Sequence, residues 1–155
     1  MDSHVLLHAL CAQRDSFPHI NFSAIHVNHQ LQTEALDWEH HCQQSCDAMQ
    51  VALQIKRVNA TPNTGQSPEE AAREARYSAF SHELSETDVL VTAHHANDQA
   101  ETFLLQLMRG AGLAGLSAMP EQRLYDSMQL HRPLLTINLA CIAEYAQQHN
   151  LVWID

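Results

Sequence analysis

Residues 89–116 constrain the fold more than any other part of the chain. They begin with a short apolar, β-branched run at 89–92, which is typical of a buried strand. Two histidines, His94 and His95, follow directly, and a stretch with apolar residues at helical spacing then ends at Arg109 and Gly110. Open α/β sheets place ligands where the carboxyl end of a strand delivers polar groups to the start of a helix. We therefore expect a functional site at this strand–helix junction.

The polar residues of this junction allow two interpretations. Asp98 and Glu101 are spaced like a helix N-cap and its return partner, and this structural role alone would explain them. However, two imidazoles, an amide and two carboxylates fall within residues 94–101, next to a glycine-rich turn at 110–115. This density of polar groups favours a functional site.

The rest of the chain alternates between strand and helix patterns. Further strands are predicted at 21–29 and 51–58, an extended segment near 129–135, and helices at the N-terminus, at 33–49, from Ser67 onwards and at 138–149. Residues 117–128 show no regular pattern. This alternation predicts an α/β fold with a parallel sheet and helices on both faces. A chain of 155 residues is the size of one domain.

Composition excludes several classes of protein. The net charge of −10 disfavours a stand-alone nucleic-acid binder. No apolar run approaches the roughly 18 residues that span a membrane, and no signal peptide is evident. The four cysteines are scattered, which favours reduced thiols and a cytoplasmic location. Cys42 and Cys46 share a helical face, but no second segment offers matching metal ligands, so no metal site is predicted.

The run Thr-Ala-His-His-Ala-Asn-Asp-Gln-Ala-Glu-Thr at 92–102, followed by Met-Arg-Gly-Ala-Gly-Leu-Ala-Gly-Leu at 108–116, resembles a signature of the bacterial tRNA(Ile)-lysidine synthases. That family usually has His-His-x-Asp-Asp-Gln-x-Glu-Thr, and Asn97 replaces the first aspartate here. Other segments match in order: His-Val-Asn-His at 26–29, Glu-Ala-Ala-Arg-x-x-Arg-Tyr at 70–77 and Arg-Pro-Leu-Leu at 132–135. Asp2 and Ser3 match the end of the family's Ser-Gly-Gly-x-Asp-Ser loop.

The resemblance implies a fold and a domain. The fold is the three-layer α/β/α sandwich of the adenine nucleotide alpha hydrolase-like type, and residues 1–155 are expected to form one partial PP-loop ATP-pyrophosphatase domain. The family's first strand and the Ser-Gly-Gly part of its loop would lie upstream of Met1. Without that strand, neighbouring strands would have open edges, so we expect self-association, for example as a homodimer.

The resemblance also implies an activity. Such enzymes use ATP, with Mg²⁺, to adenylate the 2-position of the wobble cytidine of a minor isoleucine tRNA. Free lysine then displaces AMP and forms lysidine. The expected cofactors are ATP and Mg²⁺, the expected partners are tRNA(Ile) and lysine, and no membrane is involved.

Site residues follow from the matched motifs. We expect catalytic roles for three residues: Asp2, His94 and His95. Contacts to the nucleotide are expected from seven: Asp2, Ser3, His26, Asn28, His29, Arg109 and Gly110. Contacts to lysine or tRNA are expected from five: Asp98, Glu101, Arg73, Arg76 and Arg132. For Arg73, an ordinary intrahelical pair with Glu69 is the simpler alternative.

Two other functions remain open at this point. A tRNA-thiolating enzyme of the same ATP-pyrophosphatase type would need a catalytic cysteine pair, and Cys42 and Cys46 lie on a predicted helix away from the sheet edge. The chain is alternatively an inactive fragment that binds only tRNA or a partner. Its missing loop and its net charge of −10 favour that interpretation.

Overall fold

The computed structural model describes residues 1–30, 34–112, 117–125 and 128–154. The chain divides into two compact units. One comprises Leu7–Ser85 with the last residues of the chain, and we call it the β1–β2 unit after strands β1 (Ser23–Asn28) and β2 (Ala52–Arg57). The other comprises Met1–Leu6 and Glu86–Val152, and we call it the β3–β5 unit after strands β3 (Val89–Val91) and β5 (Met128–His131).

The β1–β2 unit is built around a β-α-β crossover. Strand β1 leads into helix α2 (Ala35–Ala48), and β2 then pairs parallel to β1, from Ser23 opposite Ala52 to Asn28 opposite Arg57. Parallel pairing requires such a crossover, which the sequence alternation predicts. Helix α3 (Pro68–Glu83) completes the unit. Its buried apolar side chains are Ala35, Cys46, Val51, Ala60, Ala71, Tyr77 and Phe80.

Helix α3 begins where its sequence predicts. The Ser67 side chain accepts a hydrogen bond from the backbone N–H of Glu70 at 3.2 Å, and Pro68 occupies the first helical position. A serine cap satisfies one of the free N–H groups of the first turn, and proline there loses no helical hydrogen bond. The predicted cap of α2, Thr33, lies outside the described residues.

The β3–β5 unit holds a mixed sheet with the strand order β3-β5-β4. Strands β3 and β5 are parallel, while β4 (Gln122–Tyr125) pairs antiparallel to β5. Helix α1 (Asp2–Ala12) starts in this unit, α4 (Ala96–Met108) follows β3, and α5 (Leu139–Gln148) follows β5. The buried apolar side chains are Val5, Leu6, Leu90, Met128, Leu130, Leu135, Ile142 and Ala146.

The prediction that residues 117–128 are irregular is wrong. This stretch contains β4 and the first residue of β5. The four residues of β4 have the burial pattern exposed, exposed, exposed and intermediate, so no buried alternation marks them as a strand. β4 forms by antiparallel pairing with β5, the strand that follows it in the chain.

Asparagine residues mark both ends of helix α5. Asn138 caps α5, since its side-chain oxygen accepts from the backbone N–H of Cys141 at 2.8 Å. Asn150 follows the helix with φ of 51°, the left-handed conformation predicted for it as a helix stop.

Helix α4 exposes its apolar side within the described part of the chain. None of its residues is buried, and five large apolar side chains keep between 40% and 84% of their surface accessible. They are Phe103, Leu104, Leu105, Leu107 and Met108. In the described residues, no helix is both long and apolar enough to cross a membrane.

Candidate active site

The carboxyl ends of β3 and β5 lie at the same edge of their sheet because the two strands are parallel. The ladder continues past β3, since the Thr92 backbone N–H donates to the His131 carbonyl at 3.0 Å. The chain then turns into α4, where the backbone N–H of Ala96 donates to the carbonyl of Ile137 at 2.9 Å. This edge therefore carries the His94–His95 pair, as the sequence predicts for a ligand site.

The N-cap of α4 is His95, not Asp98. The helix begins at Ala96, which puts Asp98 at the third helical position. From there its Oδ2 accepts a hydrogen bond from the His95 backbone N–H at 2.9 Å. Asp98 is thus the return partner of the cap, and Glu101 lies one turn further along as an exposed helix residue.

His95 lies between two carboxylates from distant parts of the chain. Its Nε2 is 3.6 Å from Asp2 Oδ2, and its Nδ1 is 3.5 Å from Asp98 Oδ2. These distances suit ion pairs and exceed those of good hydrogen bonds. The imidazole is only 7% exposed, whereas each carboxylate is 37% exposed. The imidazole is thus held between two carboxylates, one at each ring nitrogen.

Asp2 retains an unused acceptor. Its Oδ1 atom is buried and has no hydrogen-bond partner among the described residues. A carboxylate oxygen at the first turn of a helix is a ligand of the kind that Mg²⁺ prefers when phosphate oxygens supply the rest of its coordination shell. The donor set thus fits an ATP-bound Mg²⁺. Ser3 is exposed beside it on the same turn of α1.

His94 faces a different partner. Its Nδ1 is 2.9 Å from the Thr92 hydroxyl, and the residue is half-buried. The hydroxyl fixes the ring's orientation beside the buried His95. His94 is therefore the more accessible of the two imidazoles for contact with a substrate.

Asn97 joins the starts of two helices. Its side-chain oxygen accepts from the backbone N–H of Leu139, the first residue of α5, at 3.1 Å. An aspartate, which the resembling family carries here, would offer the same acceptor. The asparagine therefore keeps this structural contact and removes a negative charge from the site.

Arg132 is a buried cation at the carboxyl end of β5. It is 2% exposed, and its Nη1 donates to the carbonyl of Pro120 at 2.8 Å. Its Nε has no hydrogen-bond partner among the described residues. Burial at this level prevents Arg132 from reaching a large substrate directly.

Arg109 and Gly110 lie at the opposite end of α4 from His95. A helix of 13 residues is about 20 Å long, so the structure does not bring these two residues to the His95 cluster. Gly110 has φ of 70°, as expected of a glycine that ends a helix. The rest of the predicted glycine turn, from 113 onwards, lies outside the described residues.

In the β1–β2 unit, three predicted site residues, His26, Asn28 and His29, lie at the carboxyl end of β1. Asn28 is buried and donates through Nδ2 to Glu39 Oε1 at 2.6 Å. Arg57, at the end of β2, donates to both oxygens of Glu39 at 3.0 and 2.7 Å. The Arg57 guanidinium and the Asn28 amide lower the pKa of Glu39 to about 2. Asn28 is therefore part of a buried structural network.

The sequence did not indicate Glu39 as important. It occupies the same face of α2 as two buried residues, Ala35 about one turn before it and Cys46 about two turns after it. A carboxylate within such an apolar stripe requires a partner, since an unpaired buried charge is strongly destabilising. This spacing was the signal available for finding it.

The two histidines of β1 and its following loop contact different helices. His26 Nδ1 lies 3.5 Å from the Cys42 thiol of α2, and burial lowers the pKa of His26 although Glu39 opposes this. His29 Nε2 lies 3.4 Å from Arg76 Nη2 of α3. Burial and then the Arg76 charge lower the pKa of His29. Of the two, His29 is near a predicted substrate arginine.

A cleft lies next to His29. Its larger cavity, about 340 Å³, is lined by His29, Gln30, Val58, Asn59 and Thr61. A second cavity of about 240 Å³ shares Asn59 and Thr61 and extends along α3. Gln30 has φ of 56°, a conformation that is strained for a non-glycine residue. This cleft opens where parallel strands of α/β proteins usually meet ligands.

Arg73 and Arg76 are both exposed on α3. The Arg73 guanidinium lies 5.3 Å from the centre of the Tyr77 ring, in cation–π contact. Both arginines are accessible to an anion. In the described residues, no group of three or more His, Cys, Asp or Glu side chains is arranged to hold a metal ion.

Comparisons with known proteins agree on one family. A family model described as "PP-loop domain" matches residues 1–155. The chain is 48% identical over 155 residues to the tRNA(Ile)-lysidine synthase of Coxiella burnetii and 48% identical over 157 residues to that of Pseudomonas syringae, covering all of this chain and 34% of each relative. It is 46% identical over 156 residues to the same enzyme of Yersinia pestis. The chain thus spans about a third of the length of these curated relatives.

A solved structure shares the fold. The U34-tRNA thiolase NcsA of Methanococcus maripaludis, solved with its [4Fe-4S] cluster, aligns with a TM-score of 0.79 over 99% of this chain and 55% of its own length. The sequence identity is 16%, so the match concerns the fold alone. It confirms the predicted parallel α/β fold of the adenine nucleotide alpha hydrolase-like type.

Proposed function

The chain belongs to the PP-loop domain family, and on that premise we propose that residues 1–155 form the catalytic domain of a tRNA(Ile)-lysidine synthase. The domain would bind ATP and ligate lysine to C2 of the wobble cytidine of a minor isoleucine tRNA. Similarity to the lysidine synthases of several bacteria supports this assignment. We expect the enzyme to work in the cytoplasm, where its tRNA substrate is found.

One observation carries the proposal. Asp2, from the chain's first turn, and Asp98, of the most specific motif, flank His95: Asp2 Oδ2 is 3.6 Å from Nε2, and Asp98 Oδ2 is 3.5 Å from Nδ1. Nucleotide activation needs an oxygen ligand for a phosphate-bound cation, and Asp2 offers the buried, unpartnered Oδ1. Lysine transfer needs a carboxylate for an ammonium group, and Asp98 with Glu101 supply two on one helix face.

These residues have separate tasks in the proposed reaction. ATP, when bound with Mg²⁺, supplies the activating adenylyl group, and Asp2 would hold the cation. Asp98 and Glu101 would bind and orient the amino acid. The lysine nitrogen must lose a proton before it attacks C2. His94 is positioned by Thr92 to accept that proton, and His95 stabilises the site's charge between its two carboxylates.

The tRNA needs a cationic surface. The net charge of −10 makes the chain as a whole repulsive to RNA, so local arginines matter. Arg73 and Arg76 are exposed on α3, and Arg76 borders His29 at the cleft. We assign these two arginines to phosphate contacts.

The test uses the longest natural form of the protein that contains residues 1–155. It measures the two chemical steps of the proposed reaction separately. ATP-dependent pyrophosphate release without lysine reports the first step. The mass of the wobble nucleoside after lysine addition reports the second. Asp98→Asn keeps the acceptor for the His95 N–H and removes the charge. We expect this variant to release pyrophosphate normally and to need at least about tenfold more lysine.

Glu144→Gln, an exposed acid-to-amide change on α5, is the matched control and should behave as the wild type. Unchanged lysine dependence in Asp98→Asn would reject the assigned role of Asp98. Asp2→Asn should instead abolish pyrophosphate release. A wild-type protein that adds no lysine under these conditions would reject the proposed function itself.

The same mass measurement tests thiolation. A thiolating enzyme would exchange oxygen for sulfur, with a smaller mass change. Burial raises the pKa of the Cys46 thiol to about 11 and also raises that of Cys42. Neither thiol is therefore set up to be a thiolate at neutral pH, which disfavours this alternative.

A further inference from the structure

The segment from Ser117 to Glu121, which we call the strap, is bonded to the first turns of α4. The Gln99 side chain donates through Nε2 to the Met119 carbonyl at 2.8 Å. Its Oε1 accepts from the Met119 backbone N–H, also at 2.8 Å. One amide side chain thus satisfies both backbone groups of one residue, as a neighbouring strand would do.

A second anchor holds the other half of the strap. The buried Arg132 donates through Nη1 to the Pro120 carbonyl at 2.8 Å. The Arg132 backbone N–H donates to the Glu121 carbonyl, also at 2.8 Å. Since proline has no N–H, its carbonyl is the sole backbone group it can pair, and Arg132 uses it. Each of the residues 119–121 therefore has a backbone group held by a hydrogen bond from Gln99 or Arg132.

The strap contains a strained residue. Ala118 has φ of 53°, in the left-handed region that a residue with a Cβ avoids at a cost of about 1 kcal/mol or more. Such a conformation persists only where its surroundings impose it, and these places are often functional. Here the bonds from Gln99 and Arg132 fix the residues that directly follow Ala118.

Through Gln99, the strap reaches the N-terminal part of α4. The chain leaves α4 at Arg109, about 20 Å from the start of the helix, yet Met119 is bonded to a residue of the helix's first turns. Gln99 directly follows Asp98. The strap is therefore bonded to the same turn of α4 that carries Asp98, although the two neighbouring side chains leave the helix about 100° apart.

We propose that Gln99 is a positioning residue for lysine transfer: its amide bonds the strap to the first turns of α4, and this holds the turn that carries Asp98 in place. This inference rests on the proposed function. Without these bonds ATP would still bind, but Asp98 would hold the amino acid less precisely. Small errors of position at a reacting centre reduce turnover strongly, by up to about 100-fold per ångström.

Hydrogen exchange tests whether the two bonds from Gln99 hold Met119 in place. Gln99→Met keeps the approximate size of the side chain and removes both hydrogen bonds. We expect the Met119 amide to exchange at least about tenfold faster in this variant. The Leu130 amide, within β5, should exchange as in the wild type. An unchanged exchange rate at the Met119 amide would show that Gln99 does not hold the strap, and would overturn the inference.

The effect on catalysis is tested by comparing the change in kcat for lysine transfer with the change in KM for ATP. Gln99→Met should lower kcat for lysine transfer about tenfold while KM for ATP stays within about twofold. Gln147→Ala, an exposed glutamine on α5 of the same unit, is the control and should change neither constant. A purely structural role would lower the melting temperature and leave kcat unchanged, and that result would overturn the inference.

The two proposals fail in different ways. Wild-type protein that transfers lysine, together with an equally active Gln99→Met, rejects only the positioning role. Wild-type protein that transfers no lysine rejects the proposed function, and the kinetic role of Gln99 with it.

Discussion

Replacing Glu39 by glutamine tests whether the buried network at the end of β1 stabilises the protein through its charge. The substitution keeps a side chain of the same size and an oxygen that can accept from Asn28. It removes the negative charge of the carboxylate to which Arg57 and Asn28 donate hydrogen bonds. The change therefore isolates the contribution of ionisation.

The expected magnitude follows from the pKa of Glu39. The network lowers it from 4.5 to about 2, and each pKa unit corresponds to about 1.4 kcal/mol, which sets an upper limit of roughly 3 kcal/mol. The Arg57 side chain is 58% exposed, so water screens part of this interaction. We therefore expect Glu39→Gln to lower the free energy of unfolding by about 2 kcal/mol at pH 7.

The pH dependence has a definite sign. Because the folded-state pKa of Glu39 is lowered, its contribution is fully present above 4.5, the unfolded value, and is lost as the pH falls towards about 2. The difference between wild type and Glu39→Gln should shrink by about 1 kcal/mol between pH 7 and pH 3.

Urea denaturation at both pH values, followed by the fluorescence of Trp38 on α2, measures this difference. Asp47→Asn is the control, because Asp47 is an exposed acid on the same helix. Its effect should stay within about 0.5 kcal/mol at either pH. A Glu39→Gln effect as small as that of the control, or one that does not shrink at pH 3, would refute the reasoning.

Three further predictions concern single contacts. Asn97→Ala should lower the free energy of unfolding by about 1 kcal/mol in thermal melts, whereas Asn97→Asp, which keeps the acceptor for the Leu139 N–H, should stay within about 0.5 kcal/mol. Ser67→Ala should cost about 1 kcal/mol through loss of the α3 cap, and Ser67→Thr should restore most of it. Iodoacetamide at neutral pH should alkylate the exposed Cys141 at least about tenfold faster than Cys46, which is buried and has its pKa raised to about 11, as peptide mass analysis would show.

Local sequence patterns correctly predicted those features that depend on only a few neighbouring residues. The Ser67-Pro68 sequence predicts the start of α3, and the α5 stop at Asn150 is where the sequence places it, because caps and stops depend on a few neighbouring residues. The β-α-β crossover also follows from alternating patterns. The start of α4 was misplaced since Asp98 has the usual residue type of a cap, whereas the structure uses His95 and makes Asp98 the return partner.

Contacts between distant residues were beyond the sequence alone. The meeting of Asp2 with His95 and the bonds from Gln99 to Met119 join segments whose distance is set by the fold. The family resemblance pointed to Asp2 and His95 individually. It did not indicate that the two side chains are neighbours, nor that Gln99 holds a strained segment in place.

The network of Asn28, Glu39 and Arg57 has an evolutionary consequence. Loss of Asn28 or Arg57 leaves a buried carboxylate underpaired, and such a change typically costs several kcal/mol, a large fraction of a domain's stability. Loss of Glu39 leaves the buried Asn28 amide without its acceptor. Descendants of this sequence should therefore keep all three residues or replace them together, so that substitutions at β1, α2 and β2 are inherited as a set although the positions are far apart in the chain.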